Sequence, residues 1–286
     1  MFFKYQQELI AKLILAVFLL LTCNLLFALS ANCHLLNNNT ISTPGCYYLD
    51  RNIRGFLTIN SDSVTLDLNG KGLSDPEPGS QNIGIKLGNH SNITIKNGYL
   101  NGFWFAISGS GGRNLNIINM SFTNTRYVAV NLSGSNVNVS GNFINNMNFF
   151  QPKDKVNFYL VGINIRDTSG CKILNNVILA PQLPTKELDY RLEYVGLILL
   201  NPSQNCYIQN NIFSNFQTPL FKSIAVWLAS ETAFSVLKDN LVLNYRYGIT
   251  GSLESYSEKN NLLINVEKPK LNKAWEIPLV LNNEML

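Results

Sequence analysis

Apolar and polar residues alternate along this chain in short bursts, and the bursts recur. "SVTLDLNG" carries Val64 and Leu66, "NITIKNG" carries Ile93 and Ile95, and "NLNIINM" carries Leu115 and Ile117. "NVNVSGN" carries Val137 and Val139, "GCKILNN" carries Cys171 and Ile173, and "NCYIQNN" carries Cys206 and Ile208. "FSVLKDN" continues the series with Ser235 and Leu237, with Phe234 and Val236 as the other register. A period of two is the mark of a strand with one buried face. The leading positions are 64, 93, 115, 137, 171, 206 and 235, with shortest steps of 22 and others of 29, 34 and 35. The unit is therefore about 22 residues, lengthened in some copies by insertions.

Two further strands repeat in step. "IGIKL", "FAISG", "VAVNL", "VGINI", "VGLIL", "IAVWL" and "YGITG" each place Gly or Ala before an aliphatic residue: Gly84, Ala106, Ala129, Gly162, Gly196, Ala225 and Gly248. A third, shorter strand supplies Leu100, Phe122, Ile144, Ile178, Phe213 and Val242. Three brief strands cannot bury their apolar faces alone. Stacked copies can, with like residues about 4.8 Å apart. The pattern predicts a parallel β-helix of about eight coils. Asn142, Asn176, Asn211 and Asn240 share one turn position, where Asn tolerates left-handed backbone and its amide can bond the next coil. Asn124, Asn146, Asn215 and Asn244 form a second such column.

These features, with the leading segment "ISTPGCYYLDRNIRGFLTINSDSVTLDLNGKGL" at 41–73, resemble the β-helix repeat proteins of the pectin-lyase-like superfamily, and the segment resembles the first coils of secreted bacterial members. The resemblance spans roughly residues 40 to 265. It implies an all-β, single-stranded right-handed parallel β-helix. It does not imply one function, because the fold hosts lyases, hydrolases, epimerases and binding proteins.

Composition agrees with one domain: 286 residues, 46% apolar and 14% charged. The net charge of +4 is spread without a dense basic run, which speaks against nucleic acid as a partner. Residues 1–30 stand apart. Lys4 and Lys12 precede the apolar run Leu13 to Leu29, which reads as a secretory signal peptide, its only engagement with membrane, with an uncleaved anchor as the alternative. The β-helix with its N-terminal cap is assigned to 31–265 and a C-terminal capping tail to 266–286. Export would place the protein outside the cell, in a periplasm or on a cell surface. There Cys33 and Cys46 can form a disulfide. Cys171 and Cys206 read as a stacked pair of small buried residues, with a disulfide as the alternative.

The insertions fall in one connection, between the third strand and the "VGINI" strand, at 72–82, 147–160, 180–194 and 215–222. Long loops on one flank of a rigid scaffold build a cleft wall, and in relatives that cleft holds polysaccharide. Its floor consists of the outward positions Lys86, Ser108, Asn131, Asn164, Ile198, Trp227 and Thr250, with Arg166 beyond. Trp227 could stack on a sugar or pack beneath a loop. The loops add Lys153, Lys155, Tyr159, Asp189, Tyr190, Arg191 and Tyr194. The candidate substrate-binding residues are Lys86, Asn131, Asn164, Arg166, Trp227, Tyr159 and Tyr194, a mixture suited to an acidic glycan.

Catalytic residues are harder to place. The floor lacks the paired carboxylates of glycoside hydrolysis. The polygalacturonase signatures and the Asp-Pro-His-Glu of mannuronan epimerases are absent, "DPEP" at 75–78 being only superficially similar. No carboxylate cluster suggests calcium, and no cofactor or metal is expected. His34 and His90 are the only histidines, His90 in an exposed turn. A lyase using Lys86, Arg166, Tyr159 or Tyr194 remains a second reading, and a surface adhesin a third. The Asn-x-Ser/Thr sequons, such as those at Asn92 and Asn138, coincide with strands and ladders and read as by-products of the repeat.

Overall fold

The structure is a computed structural model, and it describes residues 33–77, 80–148, 158–181, 192–200, 202–215, 223–229, 232–251 and 256–271. The expected signal peptide, residues 272–286 and most of the insertions at 147–160, 180–194 and 215–222 lie outside these residues.

The described chain winds as a parallel β-helix with three sheets. Sheet I holds Gly45–Tyr48, Val64–Asp67, Ser169–Leu174, Gln204–Gln209, Ser235–Lys238 and Tyr256–Lys259, with Ile93–Asn101, Phe105–Thr123 and Val128–Ser140 bending through it. Sheet II holds strands such as Gly72–Ser74, Phe143–Asn145, Val177–Leu179, Ile212–Ser214, Leu241–Leu243 and Leu262–Ile264. Sheet III holds Thr40–Ile41, Leu57–Ile59, Ile83–Lys86, Phe158–Arg166, Leu192–Leu199, Ser223–Leu228, Tyr247–Thr250 and Lys268–Leu271. Every neighbour is parallel and one coil away. Leu115, Val137, Cys171 and Cys206, for example, are successive partners in one column. Among the described residues each sheet is nine or ten strands deep, slightly more than the eight coils expected. The winding passes residue 265, because Lys268–Leu271 pairs with Tyr247–Thr250.

Burial follows the alternation. Val64, Leu66, Ile93, Ile95, Leu115, Ile117, Val137, Val139, Ile173 and Ile208 are buried in one core. Ser235 and Leu237 point inward, so the first of the two registers holds there. Phe234 is 76% exposed. The small residues of sheet III face the side chains of sheet II. A Cβ on Gly196 would lie 2.7 Å from the Ala225 carbonyl oxygen and from the Phe213 ring, so that position admits almost nothing larger.

The asparagine turn divides its two jobs between adjacent residues. Asn142, Asn176, Asn211 and Asn240 form a buried ladder. Each Oδ1 accepts a backbone N–H from the preceding coil, beginning with Met120 N to Asn142 Oδ1 at 2.9 Å. Asn261 extends the ladder by one rung, accepting from Asn240 at 2.9 Å. The left-handed backbone belongs to the residue before: Gly141, Asn175, Asn210, Asp239 and Asn260 have φ of 65°, 55°, 56°, 54° and 54°. The sequence reading gave both roles to the ladder residue, and the structure corrects it. Asn124, Asn146 and Asn244, in the second column, do combine positive φ with ladder bonds.

Cys171 and Cys206 are bonded, with Cα atoms 4.3 Å apart. The structure supplies the alternative, because in-register neighbours in a parallel column bring the two sulfurs together. Cys33 and Cys46 are each disulfide-bonded.

Candidate functional site

Sheet III receives the chain from every insertion, so its outer face is the natural place for a site. Lys86, Ser108, Asn131, Asn164, Ile198, Trp227 and Thr250 form one outward column, each paired with the next. A second outward column runs Ile83, Phe105, Val128, Val161, Val195, Ile224 and Tyr247.

The two ends of this face differ. Toward the C-terminal end, Val128, Val161, Val195, Ile198, Ile224, Trp227 and Tyr247 form a buried apolar cluster separate from the core. Trp227 is outward as expected, but only 6% exposed, so its ring offers no open stacking face. Asn131 and Asn164 are buried as well. Asn164 Nδ2 donates to Asn131 Oδ1 at 2.9 Å, and Asn131 Nδ2 donates to Ser108 Oγ at 3.3 Å. Their amides form a short polar ladder, in which Asn164 Oδ1 has no partner among the described residues.

Tyr194 leaves the site altogether. It is buried in the core, its ring 6.3 Å from that of Tyr245. Desolvation raises the pKa of its hydroxyl, and the neighbouring Tyr245 hydroxyl only partly offsets this. A phenol held in that way is a poor base at neutral pH. Arg166 is half-buried at the end of its strand, in register with Ser133. The side chains of Tyr159, Lys153, Lys155, Asp189, Tyr190 and Arg191 lie outside the described residues.

The open part of the face lies toward the N-terminal end. Lys86 is exposed there. At the start of the same strands stand three aromatic residues that the sequence pattern does not single out. Trp104 and Tyr127 stack with ring centroids 5.0 Å apart, and Phe105 meets Tyr127 edge-on at 5.2 Å. All three are half-buried. Trp104 and Tyr127 occupy equivalent places just before the sheet III strand, since Val128 N donates to Trp104 O and Val161 N to Tyr127 O. The signal was present in "FWF" and "RYV", but a turn has no alternation to show which way a ring points.

An ion pair braces this corner. Arg126 donates to the carboxylate of Asp75, both side chains being buried. Asp75 also accepts from Asn82 Nδ2 at 2.9 Å and from Glu77 N at 3.0 Å. Desolvation lowers the Arg126 pKa, and the charge of Asp75 opposes that shift. Asp75 is thus committed to holding the 75–82 connection against the coil that carries Tyr127. In the turn after Lys86, His90 Nδ1 lies 3.1 Å from Asp62 Oδ1, so this histidine is a paired one. The Ser91 N–H, then the bond with His90, lower the Asp62 pKa. Among the described residues no group of three or more His, Cys, Asp or Glu could hold a metal ion.

No protein-family profile and no curated protein sequence matches the chain. Among solved structures it is similar to the A-module of a mannuronan C-5 epimerase from Azotobacter vinelandii, at 13% identity and a TM-score of 0.22. That likeness covers 80% of this chain and 89% of the other. It is also similar to the catalytic domain of a GH87 alpha-1,3-glucanase in complex with tetrasaccharides, at 12% identity and a TM-score of 0.21. There it covers 84% of this chain and 63% of the other. Scores this low carry no inference about the chemistry of this chain.

Proposed function

We propose that this is an exported β-helix protein that binds extracellular polysaccharide at the N-terminal part of the sheet III face, without a catalytic set. The observation that carries this reading is the half-buried Trp104–Tyr127 stack at the strand entry of a face whose exposed Lys86 lies further along, in register with Ser108. Stacked aromatic rings present flat apolar surface to the C–H face of a sugar, and a lysine further along the same face favours a carboxylated chain. Export rests on the apolar N-terminal run and on the Cys171–Cys206 bond, which needs an oxidising compartment. Within this reading Cys33 and Cys46 pair with each other across the N-terminal cap.

The test is a panel of neutral and uronate polymers in affinity electrophoresis. Tyr127→Ala should weaken retention about tenfold. Lys86→Ala should weaken only the acidic polymers, with a loss that fades in high salt. Trp227→Ala is the contrast: it removes a packed side chain and leaves glycan contact in place. Unchanged retention for both Tyr127→Ala and Lys86→Ala would defeat the proposal.

One observation favours a lyase as the second reading. The carboxylate of Asp62 orients His90, four residues beyond Lys86, as a general base requires. Lyase action would appear as new ultraviolet absorbance from unsaturated chain ends, lost in His90→Ala. A flat trace across the uronate panel rules this reading out.

A further inference from the structure

Sheet II turns an apolar face to solvent. Its outward column runs Phe143, Val177, Ile212, Leu241 and Leu262 through successive coils, each paired with the next. Phe143 is 38% exposed, Ile212 36% and Leu262 56%. Val177 and Leu241 are half-buried. Two residues further along, Leu179, Ser214, Leu243 and Ile264 make a parallel column, with Ile264 47% exposed. In earlier coils the first column holds Tyr99 and Ser121, so the aliphatic strip is confined to the C-terminal half. Scattered exposed apolar residues are ordinary, whereas a contiguous strip marks an interaction surface. Register makes this one contiguous over about 20 Å.

The charges around the strip are one-sided. Asp239 pairs with Lys238 at 3.4 Å, Glu267 with Arg246 at 3.4 Å and Glu258 with Lys270 at 3.1 Å. Lys172, Lys259 and Lys268 are exposed and take part in no ion pair among the described residues. Lys259 stands next to the turn that leads into Leu262, in register with Lys238. Lys268 follows the turn at the other edge, its Nζ 5.6 Å from the centre of the Tyr247 ring.

A second copy of the chain suits this surface poorly. The strip is only two residues wide, narrow for an interface that takes ~800 Å² from each partner. A copy would also bring the same surplus lysines against these. An anionic bilayer supplies both an apolar phase and the opposite charge. We propose that the outer face of sheet II, from Phe143 to Leu262, docks on an anionic lipid surface. This site is on a different sheet from the proposed glycan face, and either can fail without the other.

The experiment is co-sedimentation of the full chain with vesicles of phosphatidylcholine, with and without phosphatidylglycerol. The parent protein should bind the phosphatidylglycerol vesicles and release in high salt. Ile212→Ser with Leu262→Ser, both at outward positions, should lower partitioning about tenfold. Lys259→Glu with Lys268→Glu touches no core residue and should abolish the preference for the anionic lipid. Phe56→Ser removes a 48% exposed ring outside the strip and should change nothing. Absent binding, equal binding to both vesicles, or full binding by the serine variant would overturn the proposal. So would a dimer of the parent chain in sedimentation equilibrium that the serine variant abolishes, since the strip would then be an interface between copies.

Discussion

Asn211 joins three coils through one amide. Its Oδ1 accepts from Asn176 N at 3.0 Å and Asn176 Nδ2 at 2.9 Å. Its Nδ2 donates to Ile173 O at 2.7 Å and to Asn240 Oδ1 at 3.0 Å. Removing such a group strands several buried partners, and each stranded group costs more than a made bond contributes. Asn211→Ala should therefore lower stability by roughly 3 kcal/mol, read as an earlier urea midpoint. Its neighbour Asn210, at φ 56°, is held by backbone conformation rather than by burial. Asn210→Gly should change the midpoint by less than about 1 kcal/mol. A larger loss at Asn210 than at Asn211 would invert the assigned roles. The sequence could not separate these neighbours, because "NN" at 175–176 and 210–211 puts two competent residues side by side. A second residue-scale expectation concerns alkali. Desolvation, reinforced by the charge of Glu258, raises the Tyr256 pKa from 10.0 to about 12. Burial moves those of Tyr194 and Tyr245 up as well. The folded state then holds protons that the unfolded chain gives up near pH 10. Stability is complete below that pH and declines toward about 12. Thermal melts between these values should show the decline, and Tyr256→Phe should reduce it.

The sheet I strands Ser169–Leu174 and Gln204–Gln209 are joined twice, by ladder hydrogen bonds and by the Cys171–Cys206 disulfide. The bond closes a loop with a sequence separation of 35, and that loop contains the long insertion before Leu192–Leu199. In the chain-entropy account a cross-link of that span restricts the unfolded state by about 4 kcal/mol. Cys171→Ala with Cys206→Ala should cost up to that amount while leaving the β-rich circular dichroism of the fold. A melting temperature unaffected by loss of the bond would show that the unfolded chain gains nothing from its release. The column itself was legible from the alternation, since both cysteines fall on the inward period. The bond was not, because spacing gives register but not side-chain rotation. The same limit applies in sheet III. The outward column from Lys86 to Thr250 follows from the period of two, yet outward did not mean open, and Trp227 and Asn164 are as buried as core residues. Tyr194 shows the converse. It sits before its strand's regular alternation begins, where the period assigns no face.

At the scale of the whole molecule, a stacked solenoid must end its apolar core somewhere. Among the described residues charge enters the inward columns in the last coil. Glu258 occupies the inward column below Leu237, and Lys270 the inward column below Ile249. Their side chains meet at 3.1 Å. The last described coil thus sets an ion pair among Tyr256, Leu263 and Val266, which still pack against the core. The sequence offered a hint in "YSEK" and "KPKL", which keep strand length while placing charge at inward positions. Of the expected capping tail at 266–286, residues 272–286 lie outside the described residues. The inward ion pair opposes end-to-end stacking at this coil, because a second coil laid against it would bury two charges. Glu258→Leu with Lys270→Leu restores the apolar pattern and removes that block. Sedimentation velocity should then show larger species growing with protein concentration, with monomer retained in Glu258→Gln, which keeps a polar inward group. Identical sedimentation of the leucine variant and the parent would mean that the inward charges of the last coil do not limit association.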